Sequence, residues 1–167
     1  ENVKPVLVDR PVLYERESLC GAGSDYPDNP RRFGFLWKAA LEYAVQSSEP
    51  YDILHGHDWQ AGLAPVYLRT RYGGEPKLQR MASVFTIHNL AYQGTFPAEW
   101  LAPLGLGPEL MSMDALEFWG QISLLKGGIG FSDLITTVSP TYAKEIQTKE
   151  YGAGLDGILT ARSKDLH

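Results

Sequence analysis

Two short stretches of this chain combine the side chains that reactive clefts use. His55-Gly56-His57-Asp58-Trp59 puts two imidazoles, a carboxylate and an indole within five residues, and His88-Asn89-Leu90-Ala91-Tyr92-Gln93-Gly94 adds a third imidazole, two amides and a phenol. Alternate residues of a strand share one side, so His55 and His57 could share a metal ion. Asp58 and His88 would complete the ligand set of a metal-dependent hydrolase. Against that reading, such sites need three ligands with supporting partners, and the chain has only four histidines. The simpler reading of His55 is a buried ring bonded to backbone at a strand end. Asp58 fits the N-cap of a helix beginning at Trp59, worth about 1 kcal/mol, and a carboxylate at such a turn also stands at a cleft mouth. Trp59 and Tyr92 offer flat faces for stacking beside the Gln93 amide, which is the chemistry of sugar recognition; core packing of the same aromatics is an equal alternative.

Two glycine patterns lead elsewhere. Tyr151-Gly152-Ala153-Gly154-Leu155-Asp156-Gly157 contains G-x-G-x-x-G, but a helical run, Thr141 to Lys149, precedes it where a dinucleotide site needs a strand. A glycine-rich turn closing a helix is the better reading. Lys126-Gly127-Gly128-Ile129-Gly130 lacks P-loop order, so its small residues are expected to let a helix pack closely on a sheet.

The elements that must position these stretches follow from periodicity. Val3 to Asp9 reads as a strand stopped by Pro11, and Glu17 to Arg32 as a loop. Leu36, Ala39, Ala40 and Tyr43 form a helical stripe before Pro50. Asp52 to His55 is a strand, Asp58 opens a helix with Leu63, Val66 and Tyr67 on one face, and Ala82 to Ile87 is a strand. Short helices and turns are expected to Pro108, a helix over Trp119 to Phe131 with Ile122, Leu125 and Ile129 inward, and a strand over Asp133 to Val138. Ser139-Pro140 supplies an N-cap and a first-turn proline for a last helix, on which Glu145 and Lys149 pair. Strands alternating with helices predict an α/β domain with a parallel sheet and helices on both faces. Ligands of such sheets bind beyond the carboxyl ends of the strands, where both polar stretches fall.

Composition narrows the classes. With 167 residues, 44% hydrophobic and 21% charged, the chain is long enough for a sizeable core. Its 20 acidic residues outnumber 15 scattered basic ones, so the footprint of a nucleic-acid binder is missing. No apolar run approaches the ~18 residues of a membrane helix. Cys20 is alone, which excludes an intrachain disulfide. The first residue is Glu1 and the first methionine Met81, so the chain is expected to be a piece of something longer.

Five segments together carry a resemblance. Asp52-Ile53-Leu54-His55-Gly56-His57-Asp58-Trp59-Gln60-Ala61-Gly62-Leu63-Ala64-Pro65, Phe85-Thr86-Ile87-His88-Asn89-Leu90-Ala91-Tyr92-Gln93-Gly94, Gly120-Gln121-Ile122-Ser123-Leu124-Leu125-Lys126, Thr137-Val138-Ser139-Pro140-Thr141-Tyr142-Ala143 and Tyr151 to Gly157 resemble the bacterial-type glycogen synthases and plant starch synthases, in that family's order. The resemblance implies a GT-B glycosyltransferase of two Rossmann-like domains facing across a cleft. It implies transfer of glucose from ADP-glucose to the non-reducing end of an α-1,4-glucan, with retention of configuration and without metal or other cofactor. Residues 1–167 would be the later part of the acceptor-side N-terminal domain, inactive without a C-terminal domain. The setting would be the cytoplasm in a bacterium or the plastid stroma in a plant.

By motif match, His88 resembles the histidine that bonds the donor glucose near its primary hydroxyl. Asp58 resembles the cleft aspartate beside the reacting sugars, Trp59 its neighbour near the glucan, and Asn89, Tyr92 and Gln93 line the same loop. The family's lysine-threonine-glycine-glycine-leucine loop is absent, as are the arginine, lysine and glutamate that hold the nucleotide and donor. The loop from Glu17 to Asp25 departs from the family's usual wording. Besides the hydrolase using His55, His57 and Asp58, a non-catalytic glucan-binding module is the remaining alternative.

Overall fold

The structure, a computed structural model, describes residues 3–167. Its first elements are a helical turn, α1 (Pro11–Tyr14), and the long helix α2 (Asn29–Gln46). The segment read as a strand, Val3 to Asp9, is coil without sheet partners and mostly exposed. Helix α2 starts inside the segment read as loop and buries Phe33, Gly34 and Leu41, with Trp37 half-buried beside them. The stripe Leu36, Ala39, Ala40 and Tyr43 therefore lies beside the buried face, and Tyr43 is exposed.

Three parallel strands follow, separated by helices. After β1 (Ile53–His57) come a 3₁₀ turn, Trp59–Ala61, and α3 (Leu63–Arg69). Next are β2 (Ala82–Ile87), the short β3 (Thr95–Pro97), and a turn-rich stretch with α4 (Leu101–Leu104). The segment expected to be one helix from Trp119 is a hairpin, β4 (Glu117–Phe118) and β5 (Gln121–Ser123), leading into α5 (Leu124–Phe131). Ile122 is thus a buried strand residue, whereas Leu125 and Ile129 are buried on the helix as expected. Last come β6 (Leu134–Thr137), α6 (Pro140–Glu145) and α7 (Asp156–Ala161).

The main sheet has the order β1-β2-β6, all parallel, with His55 opposite Val84 and Phe85 opposite Ile135. A second, antiparallel sheet has the order β3-β5-β4. Both belong to an α/β architecture. Ser83, Phe85, Ile87 and Ile135 form the covered face of the main sheet, under α3 and α5. The opposite face is exposed along β1, at Ile53, His55 and His57, and half-buried at Thr86. Close approach depends on the glycines singled out above: a Cβ at Gly128 would enter the Phe85 ring, and one at Gly127 would press on Val66. Lys126 is buried and structural, its amine donating to the Met113 and Glu117 carbonyls at 2.6 Å each.

Ser139 caps α6 as its position predicts, accepting the Tyr142 N–H at 3.0 Å. Helix α6 ends at Glu145, so Lys149 lies beyond it and the expected Glu145–Lys149 pair does not form. The glycine-rich stretch after Tyr151 is a turn, with Ala153 and Gly154 at φ 49° and 82°, between α6 and α7.

Candidate active site

The two polar stretches leave the carboxyl ends of adjacent strands, β1 and β2, and meet there. Asp58 is the hinge of that meeting. Its N–H donates to the Thr86 carbonyl at 2.9 Å, as though β1 continued, and its backbone then turns at φ 55°, ψ −176°. That combination lies in a region nearly restricted to glycine and costs an aspartate on the order of 1–3 kcal/mol. The carboxylate is not the helix cap expected from sequence. Its Oδ1 instead accepts the His88 N–H at 2.7 Å, so one side chain fastens the end of β1 to the start of the loop after β2.

A cavity of about 760 Å³ opens against these loops, lined by Asp58, Trp59, Asn89, Tyr92 and Gln93 among others. Five of the six residues selected from sequence as site residues therefore share one wall. The sixth, His88, is exposed and lies outside that lining, with His57 Nδ1 and His88 Nε2 3.2 Å apart.

The five differ in what they present. Trp59 is 4% exposed, with its ring edge-on to Phe33 at 5.1 Å and tilted to Phe96 at 5.8 Å. It is a core residue forming the cavity floor, and Gly94 at φ 57° lies against it where a Cβ would collide with the indole. Tyr92, 66% exposed, is the free aromatic face. Asn89 Oδ1 accepts the Ala91 N–H at 3.0 Å and so shapes its own loop. Gln93 Nε2 donates to the Ala153 carbonyl at 2.8 Å, while Oε1 is buried without a partner. The Leu90 N–H donates to the Tyr142 hydroxyl at 2.9 Å, a support from α6 that the sequence does not announce.

The histidines do not form the proposed metal site. His55 is exposed rather than buried, and its Nε2 bonds the Thr86 hydroxyl at 2.7 Å rather than backbone. Partial burial, followed by the neighbouring His57, lowers its basicity below the ordinary imidazole value. Among the described residues no three His, Cys, Asp or Glu side chains are grouped to hold an ion. The hydrolase reading has no support here.

Sequence reasoning did not anticipate the other side of the cavity: Cys20, Gly21, Gly23, Ser24 and Asp25, with Gln60 donating to Cys20 Sγ at 3.3 Å. This loop is held from below by two fully buried polar residues. Asn29 donates to the Cys20 carbonyl at 2.8 Å, and Arg32 donates to the carbonyls of Leu13 at 2.7 Å and Leu19 at 2.8 Å. The available signal was an Asn-Pro-Arg-Arg opening to a helix whose next turns are apolar.

Comparison with known proteins shows the family to which the chain belongs. Residues 1–161 match the family described as the starch synthase catalytic domain. A glycogen synthase of Pseudothermotoga lettingae is 53% identical over 84% of this chain and 29% of its own length. A glycogen synthase 2 of Geobacter metallireducens is 48% identical over 99% of this chain and 34% of its own. The chain thus spans about a third of the curated relatives it matches. The solved catalytic domain of starch synthase IV from Arabidopsis thaliana, bound to ADP and acarbose, superposes with a TM-score of 0.79 at 38% identity, over 84% of this chain and 29% of that one. The chain belongs to the family of starch synthase catalytic domains.

Proposed function

We propose that the protein carrying these residues transfers glucose from ADP-glucose to the non-reducing end of an α-1,4-glucan, glycogen or starch, with retention of configuration. The observation that carries this reading is the bond from Asp58 Oδ1 to the His88 N–H, which sets two sugar-recognition loops around one cavity. Glycogen synthases among the relatives and the ADP- and acarbose-bound neighbour support the choice of substrates. This wall faces a second, nucleotide-binding domain that completes the site, and residues 1–167 alone are inactive. The relatives point to a bacterial cytoplasm as the setting, with the plastid stroma of a plant as the second.

Retaining transfer develops oxocarbenium-like positive charge at the anomeric carbon. A carboxylate held rigidly at the cavity wall stabilises that charge more than it stabilises the neutral ground state. Asp58 has this position, and its fixed backbone means little reorganisation at the moment of transfer. His88 bonds a donor hydroxyl beside the reacting carbon. Tyr92, Asn89 and Gln93 meet sugar faces and hydroxyls along the lining, and buried Trp59 shapes the floor. The transfer uses no metal and no prosthetic group.

Full-length protein incubated with labelled ADP-glucose and glycogen tests the reading. The wild type is expected to extend the glucan, and His88→Ala to lower turnover by about 10²-fold or more while remaining folded. Wild-type turnover in that variant removes His88 from the site. Glucan retained without label incorporation points to a binding module instead.

A further inference from the structure

His55, His57 and His88 form a row across the carboxyl ends of β1 and β2, on the face of the sheet that is exposed along β1. The His55 and His57 rings lie 4.3 Å apart at 31°, and the His57 and His88 rings 5.4 Å apart at 41°. His57 Nδ1 is 3.2 Å from His88 Nε2. We infer that His57 is a positioning residue for His88: it engages Nε2, fixes the plane of the ring, and leaves Nδ1 as the nitrogen that meets the substrate. The inference rests on the glucan synthase reading, in which His88 bonds the donor sugar.

The chemistry of imidazole makes this more than a contact. A neutral ring has one N–H and one lone pair, so a bond between two ring nitrogens requires one to donate and the other to accept. When His57 Nδ1 donates, His88 carries its proton on Nδ1 and offers a sugar oxygen a donor. When His88 Nε2 donates, its Nδ1 is an acceptor for a hydroxyl proton. Either way His57 decides which hydrogen-bonding role His88 has left.

The row is built to hold His57 itself. Thr136 Oγ1 and Thr86 Oγ1 are 2.6 Å apart, and Thr86 Oγ1 bonds His55 Nε2 at 2.7 Å. The ring fixed by that chain lies against His57. Meanwhile the backbone of His88 is fixed independently by Asp58, so only its ring orientation is left for His57 to set. Partial burial, then the neighbouring His57, lowers the basicity of His55 and so disfavours a charge on the first ring of the row.

Three substitutions in the full-length protein, assayed with ADP-glucose and glycogen, separate positioning from mere structure. Asparagine places an amide near the position of the lost Nδ1, glutamine reaches past it, and alanine leaves it empty. His57→Ala is expected to lower kcat on the order of 10²-fold, the scale of a misplaced reacting group, with the KM for ADP-glucose little changed. His57→Asn is expected to recover most of kcat and His57→Gln little of it. If His57→Ala fails to fold, the contrast between asparagine and glutamine still decides. Wild-type kcat in His57→Ala, equal loss in the asparagine and glutamine variants, or a loss confined to KM overturns the inference. His88→Ala run in parallel distinguishes the failures: an active His88→Ala removes the underlying site reading, whereas an inactive one beside a fully active His57→Ala overturns this inference alone.

Discussion

Asp58 Oδ1 and the backbone N–H of His88, 30 residues apart in sequence, are joined at 2.7 Å. The bond gives Asp58 two duties that can be separated, since it ties two loops and it brings a negative charge to the cavity. Asparagine keeps an oxygen for the His88 N–H and tolerates positive φ better than most residues. Asp58→Asn is therefore expected to unfold at the wild-type temperature while turnover falls about 10²-fold. Asp58→Ala loses the tie as well and is expected to unfold at a lower temperature than Asp58→Asn, since the His88 N–H loses its acceptor to solvent. Glucose transfer and thermal unfolding, measured on the same preparations, check both. Unchanged turnover in Asp58→Asn would leave the residue as a tie alone.

Arg32 governs the opposite side of the cavity from beneath. It is 2% exposed, its partners include the Leu13 and Leu19 carbonyls, and its guanidinium lies 5.2 Å from the Tyr26 ring. Lysine keeps the charge but not the planar fork that serves several carbonyls at once. Arg32→Lys is expected to loosen the chain between Leu13 and Tyr26, so that limited proteolysis cuts there faster than in the wild type. Because Cys20 to Asp25 line the cavity, glucan affinity should weaken with it. A protease pattern identical to the wild type would show that the loop holds itself.

What the sequence made legible was local. The strands Asp52 to His55, Ala82 to Ile87 and Asp133 to Val138 stand out as short apolar runs, and each is a strand within a residue or two. The polar words after the first two strands could be ranked because a parallel sheet puts its ligands at the carboxyl ends. What escaped was decided at a distance. The charged partner of the His88 N–H is 30 residues earlier, so Asp58 reads locally as a cap. The stripe through Leu36 and the one through Phe33 and Trp37 are both apolar at helical spacing, and the positions of α3, α4 and the Trp59–Ala61 turn select between them. Arg32 looks like surface charge until the carbonyls that bury it are brought over it by α1 and the following loop.

Asp133 gives the fold a defined acid sensitivity. Burial pushes its carboxyl up, but the Ser83 N–H at 2.6 Å, the Ser83 hydroxyl at 2.9 Å and the Arg69 guanidinium outweigh it and hold it below the ordinary carboxylate value. A group whose folded value is depressed stabilises the fold above its unfolded value, near pH 3.9, and loses that contribution as pH falls through the folded one. Asp133→Asn is thus expected to be less stable than wild type at pH 7, and the gap should close as the pH drops below about 4. Half of the side chain is open to solvent, so screening keeps the effect modest. Paired denaturation curves across that range test it, and a gap constant with pH would mean that the carboxylate's charge contributes nothing.

Trp119 occupies a turn that suits another residue. With Gly120 it forms the two-residue loop between the paired residues Phe118 and Gln121, and both loop residues have positive φ, 53° and 80°. Such loops favour Asn-Gly, because a bulky side chain at the first position is strained. The indole recovers little of that cost, since it is 84% exposed and meets Phe118 only edge-on at 6.4 Å. Trp119→Asn should relieve the backbone without touching the turn's other support, the bond from the Gly120 N–H to Glu117 Oε1 at 2.9 Å. The variant is expected to gain roughly 0.5–1 kcal/mol, a rise of a few degrees in Tm for a domain of this size. Trp119→Gly relieves the same strain but adds freedom to the unfolded chain, so it should gain less. A fall in Tm for both variants would place the stability of this hairpin in the indole rather than in its backbone.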